Sequence, residues 1–474
     1  MTKTKMDRRA FLTRSLTQVS GTALAAGVLA NCAHRPPPAG REPVGPNVLF
    51  IAVDDLNDWA GCLGGHPDAK TPHIDALAER GVLFTNAHCP APLCNASRAA
   101  LMTGIRPSTS GVYSNSQPWR NSPVLADAVT LPQHFMAHGY AALGSGKIYH
   151  GRFPDPPSWQ EYWPSKLITM PPSPALKDTA PGGRKHFNWG PVEVPNEEMG
   201  DWQVADWVSS QLQARHDAPF FLGCGIFRPH LPWHVPPKYF DLYPLEEITL
   251  PNVKEDDLED VPEMGRRFAN PGGDHARVMD NNAWRQAVQG YLASISFADD
   301  CVGRVIGALD NSPYRGNTII VLWSDHGWHL GEKLHWRKFA LWEEATRNVL
   351  MMAGPGIAPG ERCAAPVNLL DIYPTLIDLC GLDPKEELEG DSLRPLLEAP
   401  QADWGRPTLT TFGRNNHSVR SARWRYTRYA DGTEELYDHA VDAMEWNNLA
   451  LDRRYEKVKN WHRTWLPERN AEAF

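Results

Sequence analysis

Carboxylates directly follow two of the apolar runs in this sequence. Asp54 and Asp55 come after one run, and Asp325 with His326 comes after another, far along the chain. Adjacent carboxylates repel each other unless a cation or an arginine compensates their charge. Three carboxylates provide hard oxygen ligands that suit Ca²⁺, Mg²⁺ or Mn²⁺, and a histidine nitrogen softens such a site. We therefore predict a divalent metal site formed by these four residues.

Cys94 and Arg98 form a second reactive pair. They are four residues apart in the helix-like segment 94–104, so their side chains project from the same face. A guanidinium next to a nucleophile holds its orientation and neutralises the charge that develops during reaction. The spacing is therefore typical of a nucleophile with an orienting cation.

Four basic side chains lie in short motifs elsewhere in the chain. They are Lys147 and His150 in Gly-Lys-Ile-Tyr-His, His230 in Arg-Pro-His-Leu-Pro, and Lys338 in Trp-Arg-Lys-Phe. Taken alone, each of these residues is more typical of a surface turn or of a partly buried side chain than of a binding site. The formal net charge of −9 argues against a general nucleic-acid binder, so an anionic substrate requires a local cationic pocket. Together the four residues predict such a pocket.

The elements that position these residues are predicted by continuous apolar runs separated by amphipathic helical patterns. Such runs are expected of central strands that are buried on both faces. Strands alternating with helices predict an α/β fold, in which helices sandwich a large, mostly parallel sheet. Ligands bind beyond the carboxyl ends of the strands in these sheets. The predicted strands are residues 47–53, 141–148, 220–227, 318–323 and 349–353, and the clearest helices are residues 74–80, 284–309 and 371–379.

Two proline-rich stretches, residues 153–196 and 229–273, fit neither periodicity. Long irregular segments of a compact domain are commonly functional. We interpret them as walls of a substrate cleft, with plain surface excursions as the alternative.

The character of the sequence changes near residue 400. Residues 408–412, 418–429 and 434–437 alternate as antiparallel strands do, with a hairpin turn at 430–433. A terminal helix is predicted over residues 456–466. We therefore predict a catalytic domain over residues 46–400 and a small C-terminal α+β subdomain with an antiparallel sheet over residues 401–474.

The N-terminal segment is predicted to be a targeting signal. Arg8 and Arg9 precede a weakly apolar run, as in substrates of the twin-arginine (Tat) translocon, and that run is too short and polar for a stable membrane span. Leu-Ala-Asn-Cys, ending at Cys32, is similar to a bacterial lipobox. We expect a signal peptide over residues 1–31 and a Pro/Gly-rich tether over residues 32–45. The expected location is the periplasm of a bacterium, with or without lipid attachment to the membrane at Cys32.

Eight cysteines are present, and their spacing matches no zinc motif. Cys224 lies inside an apolar run, which favours a buried thiol. Because Tat substrates usually fold before export, we expect mostly free thiols.

The segment Cys94-Asn-Ala-Ser-Arg98, with the strand-end carboxylates Asp54 and Asp55 upstream and Gly-Tyr…Gly-Lys-Ile-Tyr-His downstream, resembles the type I sulfatases of the alkaline phosphatase superfamily. The resemblance implies an alkaline-phosphatase-like fold. It also implies that a formylglycine-generating or anaerobic sulfatase-maturating enzyme converts Cys94 to formylglycine, whose hydrate is the nucleophile. In the family, an oxygen of formylglycine is one of the metal ligands, and the metal is calcium. By this resemblance, the other ligands in this chain would be Asp54, Asp55, Asp325 and His326. The residues alone do not separate calcium from magnesium.

The same resemblance implies roles for the other residues. Lys147, His230 and Lys338 would bind the sulfate group, His150 would orient the hydrated aldehyde, and Asp325 would favour its alkoxide. His326 and the Arg-Pro-His-Leu-Pro stretch are most similar to iduronate-2-sulfatases. That subgroup removes the 2-O-sulfate from uronic acids, so the implied substrate is a sulfated carbohydrate of glycosaminoglycan or algal type.

Two other functions fit parts of the sequence. A phosphomonoesterase or phosphodiesterase of the same superfamily would bind phosphate in a similar pocket. A lipid-anchored, catalytically inactive glycan-binding protein would use some of the 18 tryptophans as sugar-stacking platforms.

Overall fold

The structure is a computed structural model, and it describes residues 45–176 and 186–474. The predicted signal peptide, the lipobox and nearly all of the tether lie outside these residues. Within the described residues, no helix is both long and apolar enough to cross a membrane.

The strands are β1 (Asn47–Val53), β2 (Gly81–Phe84), β3 (Ala87–His88), β4 (Ala141–Gly146), β5 (Glu161–Trp163), β6 (Trp189–Pro191), β7 (Phe220–Ile226), β8 (Trp233–Val235), β9 (Thr318–Ser324), β10 (His329–Leu330), β11 (Trp336–Arg337), β12 (Leu350–Ala353), β13 (Glu361–Cys363), β14 (Val367–Asn368), β15 (Thr408–Thr411), β16 (His417–Arg420), β17 (Trp424–Arg428) and β18 (Glu434–Asp438). The α-helices are α1 (Pro72–Ala78), α2 (Cys94–Thr103), α3 (Pro107–Ser110), α4 (Leu131–Ala137), α5 (Gly200–Gln213), α6 (Pro237–Phe240), α7 (Glu263–Ala269), α8 (Asp274–Asp280), α9 (Trp284–Asp310), α10 (Glu343–Thr346), α11 (Ile372–Leu379), α12 (Arg394–Glu398) and α13 (Glu456–Arg463). Short 3₁₀ helices occur at Trp119–Asn121, Pro156–Ser158, Asn196–Glu198, Leu245–Glu247, Arg315–Asn317, Glu332–Leu334, Leu369–Asp371 and Arg453–Tyr455.

The predicted α/β fold is confirmed. Eight strands form one sheet in the order β13-β2-β12-β9-β1-β7-β4-β5. All neighbours run parallel except β12, which is antiparallel to both β2 and β9. A strand that is buried on both faces is apolar throughout, whichever direction it runs. The antiparallel direction of β12 is therefore not visible in its sequence.

The central strand β1 is apolar throughout because each of its faces packs against a separate core. Leu49 and Ile51 contact one core, which includes helices α1, α5 and α9. Val48 and Phe50 contact the other, which includes α2, α4 and α11. The sheet is therefore sandwiched by helices.

A second, antiparallel sheet has the order β15-β16-β17-β18. The predicted continuous strand 418–429 is wrong in one respect, because the chain turns between β16 and β17. There the backbone N–H of Ser421 donates to the carbonyl of Trp424 over 2.9 Å. The hairpin turn at 430–433 is present, with Gly432 at φ +85°. The small sheet is attached to the segment before α2, since the N–H of Thr411 donates to Pro90 over 2.9 Å.

In the part of the chain that the structure describes, the two proline-rich stretches are mostly irregular, and they meet through the parallel pairing of β6 with β8. Their role as cleft walls remains a prediction.

Candidate active site

The carboxylates meet because their strands are neighbours. β1 and β9 are parallel and in register, with Val53 opposite Ser324, so Asp54 and Asp325 leave the sheet side by side. Asp55 turns back at φ +61°, and its N–H donates to Oδ1 of Asp325 over 3.1 Å. The strand ends thus bring together residues 270 positions apart.

The predicted ligands form one compact cluster of buried groups. One ligand atom from each of its residues lies within 4.8 Å of the ligand atoms of all the others. Oδ2 of Asp55 is buried without a hydrogen-bond partner among the described residues. An orphaned carboxylate oxygen amid oxygen donors fits a hard divalent cation. The members are Asp54, Asp55, Cys94, Asp325 and His326.

Arg98 connects helix α2 to this cluster through hydrogen bonds. Its guanidinium donates to Oδ1 of Asp54 over 3.0 Å and to Oδ2 of Asp325 over 2.8 Å. It also donates to the backbone carbonyls of Lys147 and Ile148. A planar fork with all these partners fixes the start of α2 against both strand ends.

Two lysines contact different carboxylates of the cluster. Lys147 donates to Oδ2 of Asp54, and Lys338 donates to Oδ1 of Asp55 over 2.5 Å. Lys147 follows Gly146, which is at φ +83° and so close to Gly225 that a Cβ would lie 2.0 Å from its carbonyl oxygen. Only glycine fits this turn, which aims Lys147 at the carboxylates.

Cys94 is the first residue of α2 and is almost completely buried. Its Sγ atom lies 3.2 Å from Nζ of Lys338, 3.4 Å from Nε2 of His326 and 3.9 Å from Oδ1 of Asp55. Burial raises the pKa of its thiol to about 12, although Lys147 and Lys338 oppose this. The encoded side chain is therefore a neutral thiol at pH 7, and its Sγ atom lies among the predicted metal ligands.

The carboxylates differ in their preferred protonation state. Burial and Lys338 act in opposite directions on Asp55, and burial prevails, which raises its pKa to about 7. Burial also disfavours the charged form of Asp54, but Lys147 and Arg98 outweigh it and lower the pKa of Asp54. Asp55 is thus the carboxylate that most lacks a compensating cation.

The three predicted histidines surround the same centre. Nε2 of His326 is 3.5 Å from Asp325, and Nε2 of His230 is 3.8 Å from Oδ2 of Asp55. His150 lies three residues after Lys147, and its Nδ1 is buried without a partner among the described residues. Burial, reinforced by Lys147, lowers the pKa of His150 to about 4, and burial lowers that of His326 to about 4. Both imidazoles are therefore neutral near pH 7.

Three positioning residues were not predicted from the sequence. Ser97 donates to the backbone carbonyl of Asp325 over 2.6 Å, and its place three residues after Cys94 on the same helical face was the available signal. Asn95 donates to the carbonyls of Ser114 and Gln117, both at 2.8 Å, through contacts that no local pattern indicates.

The third such residue is His335, which shapes the turn that carries Lys338. Its ring nitrogens lie 2.7 Å from the carbonyls of Ala269 and Lys338. The neighbours Arg337 and Phe339 are at φ +78° and +73°. The sequence motif identified Lys338, but these backbone conformations are set by tertiary contacts.

The described cysteines carry free thiols, in agreement with the expectation from the sequence. They are Cys62, Cys89, Cys94, Cys224, Cys301, Cys363 and Cys380.

Comparison with known proteins finds similar sequences and structures. The sulfatase family model matches residues 46–382, and a model of the C-terminal part of N-sulphoglucosamine sulphohydrolase matches residues 331–471. A sulfatase of Formosa agariphila is 41% identical over 90% of this chain and 87% of its own length. Human iduronate 2-sulfatase is 32% identical over 71% of this chain and 69% of its own length.

The solved structure of a 2-O glycosaminoglycan sulfatase is also similar. It superposes with a TM-score of 0.69 at 25% identity, and the match covers 89% of this chain and 91% of that chain.

Proposed function

The chain belongs to the sulfatase family, within the alkaline phosphatase superfamily, and from this premise we propose that it hydrolyses the 2-O-sulfate of a uronic acid in a sulfated polysaccharide. That it is a sulfuric ester hydrolase follows from the family. The similarity to an iduronate 2-sulfatase and to a 2-O glycosaminoglycan sulfatase supports the choice of substrate.

The observation that carries the proposal is the position of Cys94. Its Sγ is in contact with a lysine ammonium and adjoins the cluster of carboxylates, at the first turn of a buried helix. We propose that a maturating enzyme converts Cys94 to formylglycine, and that one Ca²⁺ is held by the cluster. When present, these groups supply a hydrated aldehyde, able both to attack sulfur and later to expel sulfate, and a Lewis acid beside it.

The residues of the chain divide the remaining work. Arg98 holds Asp54 and Asp325 in place, and Asp325 would accept the proton of the attacking hydroxyl. Lys147 and Lys338 would hold the sulfate oxygens on the side of the nucleophile, because both already contact the carboxylates there. His150 is neutral near pH 7 and therefore able to accept the proton of the second hydroxyl.

The proton for the departing alcohol has two candidate sources, His230 and Lys338. In an in-line displacement the leaving group departs on the side opposite the nucleophile. Lys338 lies 3.2 Å from Sγ of Cys94, on the nucleophile's side, whereas the side chain of His230 is 27% exposed. Burial, reinforced by Lys147 and Lys338, lowers the pKa of His230 well below its usual value in the ligand-free protein, so His230 would be protonated only with the negative charge of the sulfate ester beside it. On that condition we assign the proton donor to His230.

We also propose export through the twin-arginine translocon and retention by lipid on Cys32, based on the N-terminal motifs. Cell fractionation of the wild type and a Cys32→Ala variant tests the anchor. Release of the variant from the membrane fraction supports it, and an unchanged distribution contradicts it.

The substrate proposal is tested with disaccharides that carry a single sulfate. Protein matured in its natural host, or with a maturating enzyme, is incubated with uronic acid 2-O-sulfate and with 4-O- and 6-O-sulfated hexosamine analogues. Sulfate release from the 2-O ester alone, lost in Cys94→Ala, is the expected result. Preferential hydrolysis of another ester would overturn the substrate, and faster hydrolysis of a phosphate ester would overturn the reaction.

A further inference from the structure

A wide groove lies on the C-terminal part of the chain. Its volume is about 700 Å³, and none of the predicted active-site residues lines it. We call it the tryptophan groove, defined by the lining residues Trp404, Arg406, Arg423, Trp424, Lys457 and Trp461.

The aromatic rings of the groove are paired with arginines. The guanidinium of Arg406 lies 3.9 Å from the ring centroid of Trp404, and that of Arg423 lies 4.9 Å from the ring of Trp424. The third ring, Trp461, is 44% exposed, which is unusual for a large aromatic side chain. Each arginine pair offers an apolar face and a cationic edge at one place.

The groove is cationic within an acidic protein. Its charged lining comprises three basic residues and one acid, Asp403, whereas the whole chain has a net charge of −9. Arg406 pairs with Asp391, and Arg423 pairs with Asp438, yet the side chain of Arg423 remains 57% exposed.

Lys457 is the most available of the three cations. It is exposed and is in no ion pair among residues 45–176 and 186–474. Anionic groups therefore find one free ammonium and one accessible guanidinium along the groove.

The groove continues into a neighbouring cavity of about 340 Å³. The two share Pro366, Trp404 and Arg406, and the second is also lined by Trp465, which is 39% exposed. An extended, continuous surface of this kind suits a polymer better than a single small molecule.

We propose that the tryptophan groove binds a sulfated polysaccharide chain as an auxiliary site, separate from the site of hydrolysis. The apolar faces of sugar rings stack on the tryptophans, while sulfate and carboxylate groups contact Arg423 and Lys457. The ligand class rests on the proposed function, but the cationic aromatic surface does not. Binding there raises the effective concentration of the polymer at the active site.

The experiment separates binding from hydrolysis by using the inactive Cys94→Ala protein. Fluorescently labelled heparin is the probe, and unsulfated hyaluronan is the control polymer. Trp461→Ala and Lys457→Glu remove exposed side chains, so they spare the core, and Arg215→Glu makes a similar charge change at an exposed position outside the groove. We expect each groove variant to weaken heparin binding about fivefold or more, with Arg215→Glu unchanged.

In the active protein, the same groove variants should lower kcat/KM on the polymer and leave hydrolysis of a 2-O-sulfated disaccharide unchanged. Equal heparin affinity of the Cys94→Ala protein with and without the groove substitutions would overturn the auxiliary site, and so would equal binding of heparin and hyaluronan. Failure of the proposed function is recognised separately, because then the disaccharide is not hydrolysed by any variant.

Discussion

Nε of Arg98 donates to Oδ2 of Asp325 over 2.8 Å, and both side chains are completely buried. This bond joins the helix that begins at Cys94 to the strand that ends at Asp325. We predict that Arg98→Ala lowers the free energy of unfolding by about 3–5 kcal/mol, because it leaves buried carboxylates without their partner. Chemical denaturation measures this change.

The matched control is Arg304→Ala, which breaks an ion pair with Asp206 whose two side chains are 44% and 38% exposed. Its effect should be about 1 kcal/mol or less. Equal losses of unfolding free energy in the two variants would contradict the prediction that the buried ion pairs of Arg98 stabilise the fold more than an exposed ion pair does.

Asn95 has a structural role next to the nucleophile. Asn95→Ala leaves the carbonyls of Ser114 and Gln117 without their donor, and we expect a loss of roughly 1–3 kcal/mol. Asn95→Asp should be worse at pH 7, because a carboxylate then faces those carbonyls. The control is Ser116→Ala, at an exposed position in the same loop. Equal melting temperatures of all three variants would refute this role.

Metal binding should stabilise the protein more at high pH than at low pH. In the metal-free state the pKa of Asp55 is raised to about 7 by burial, so its stabilising contribution is present below about pH 4 and lost as pH rises toward 7. A bound cation favours the carboxylate and reverses this loss. Added Ca²⁺ should therefore raise the melting temperature of chelator-treated protein more at pH 8 than at pH 5, whereas an equal rise would contradict the site.

Outside the active site, His417 should make the fold sensitive to acid. Burial lowers its pKa to about 4, although a hydrogen bond with Asn470 opposes this. The unfolded chain binds a proton below about pH 6.5 and the folded chain does not, so stability falls as pH drops from 6.5 toward 4. His417→Gln should reduce the loss between pH 7.5 and pH 5 by about 2 kcal/mol, measured by denaturation at both values. An unchanged pH dependence in this variant would contradict the conclusion that burial lowers the pKa of His417.

Much of the fold was predictable because strands such as β1 are recognisable from their own sequence. A run that is apolar at every position requires two buried faces, and both faces of β1 are buried. The position of Asp54 at its carboxyl end then follows from the geometry of parallel sheets. The four-residue strand β2 was not predicted, since it directly follows the pattern of helix α1 and is too short to show a period of its own.

The candidate site was predictable residue by residue but not in its geometry. Lys338 was identified by its motif. Its contact with Cys94, however, depends on left-handed backbone at Arg337 and Phe339 and on the hydrogen bond between the His335 ring and the carbonyl of Lys338. Such conformations are imposed by contacts across long sequence separations. Asn95 is a second example, because its hydrogen bonds to the carbonyls of Ser114 and Gln117 belong to a loop contact that no local pattern indicates.

We propose that position 94 carries formylglycine in the active protein. Mass spectrometry of the peptide that contains Cys94, from protein purified from its natural host, measures this directly. We expect the mass of the aldehyde or its hydrate in place of the thiol, in a fraction that rises with specific activity. Fully active protein with an unmodified Cys94 thiol throughout would contradict it.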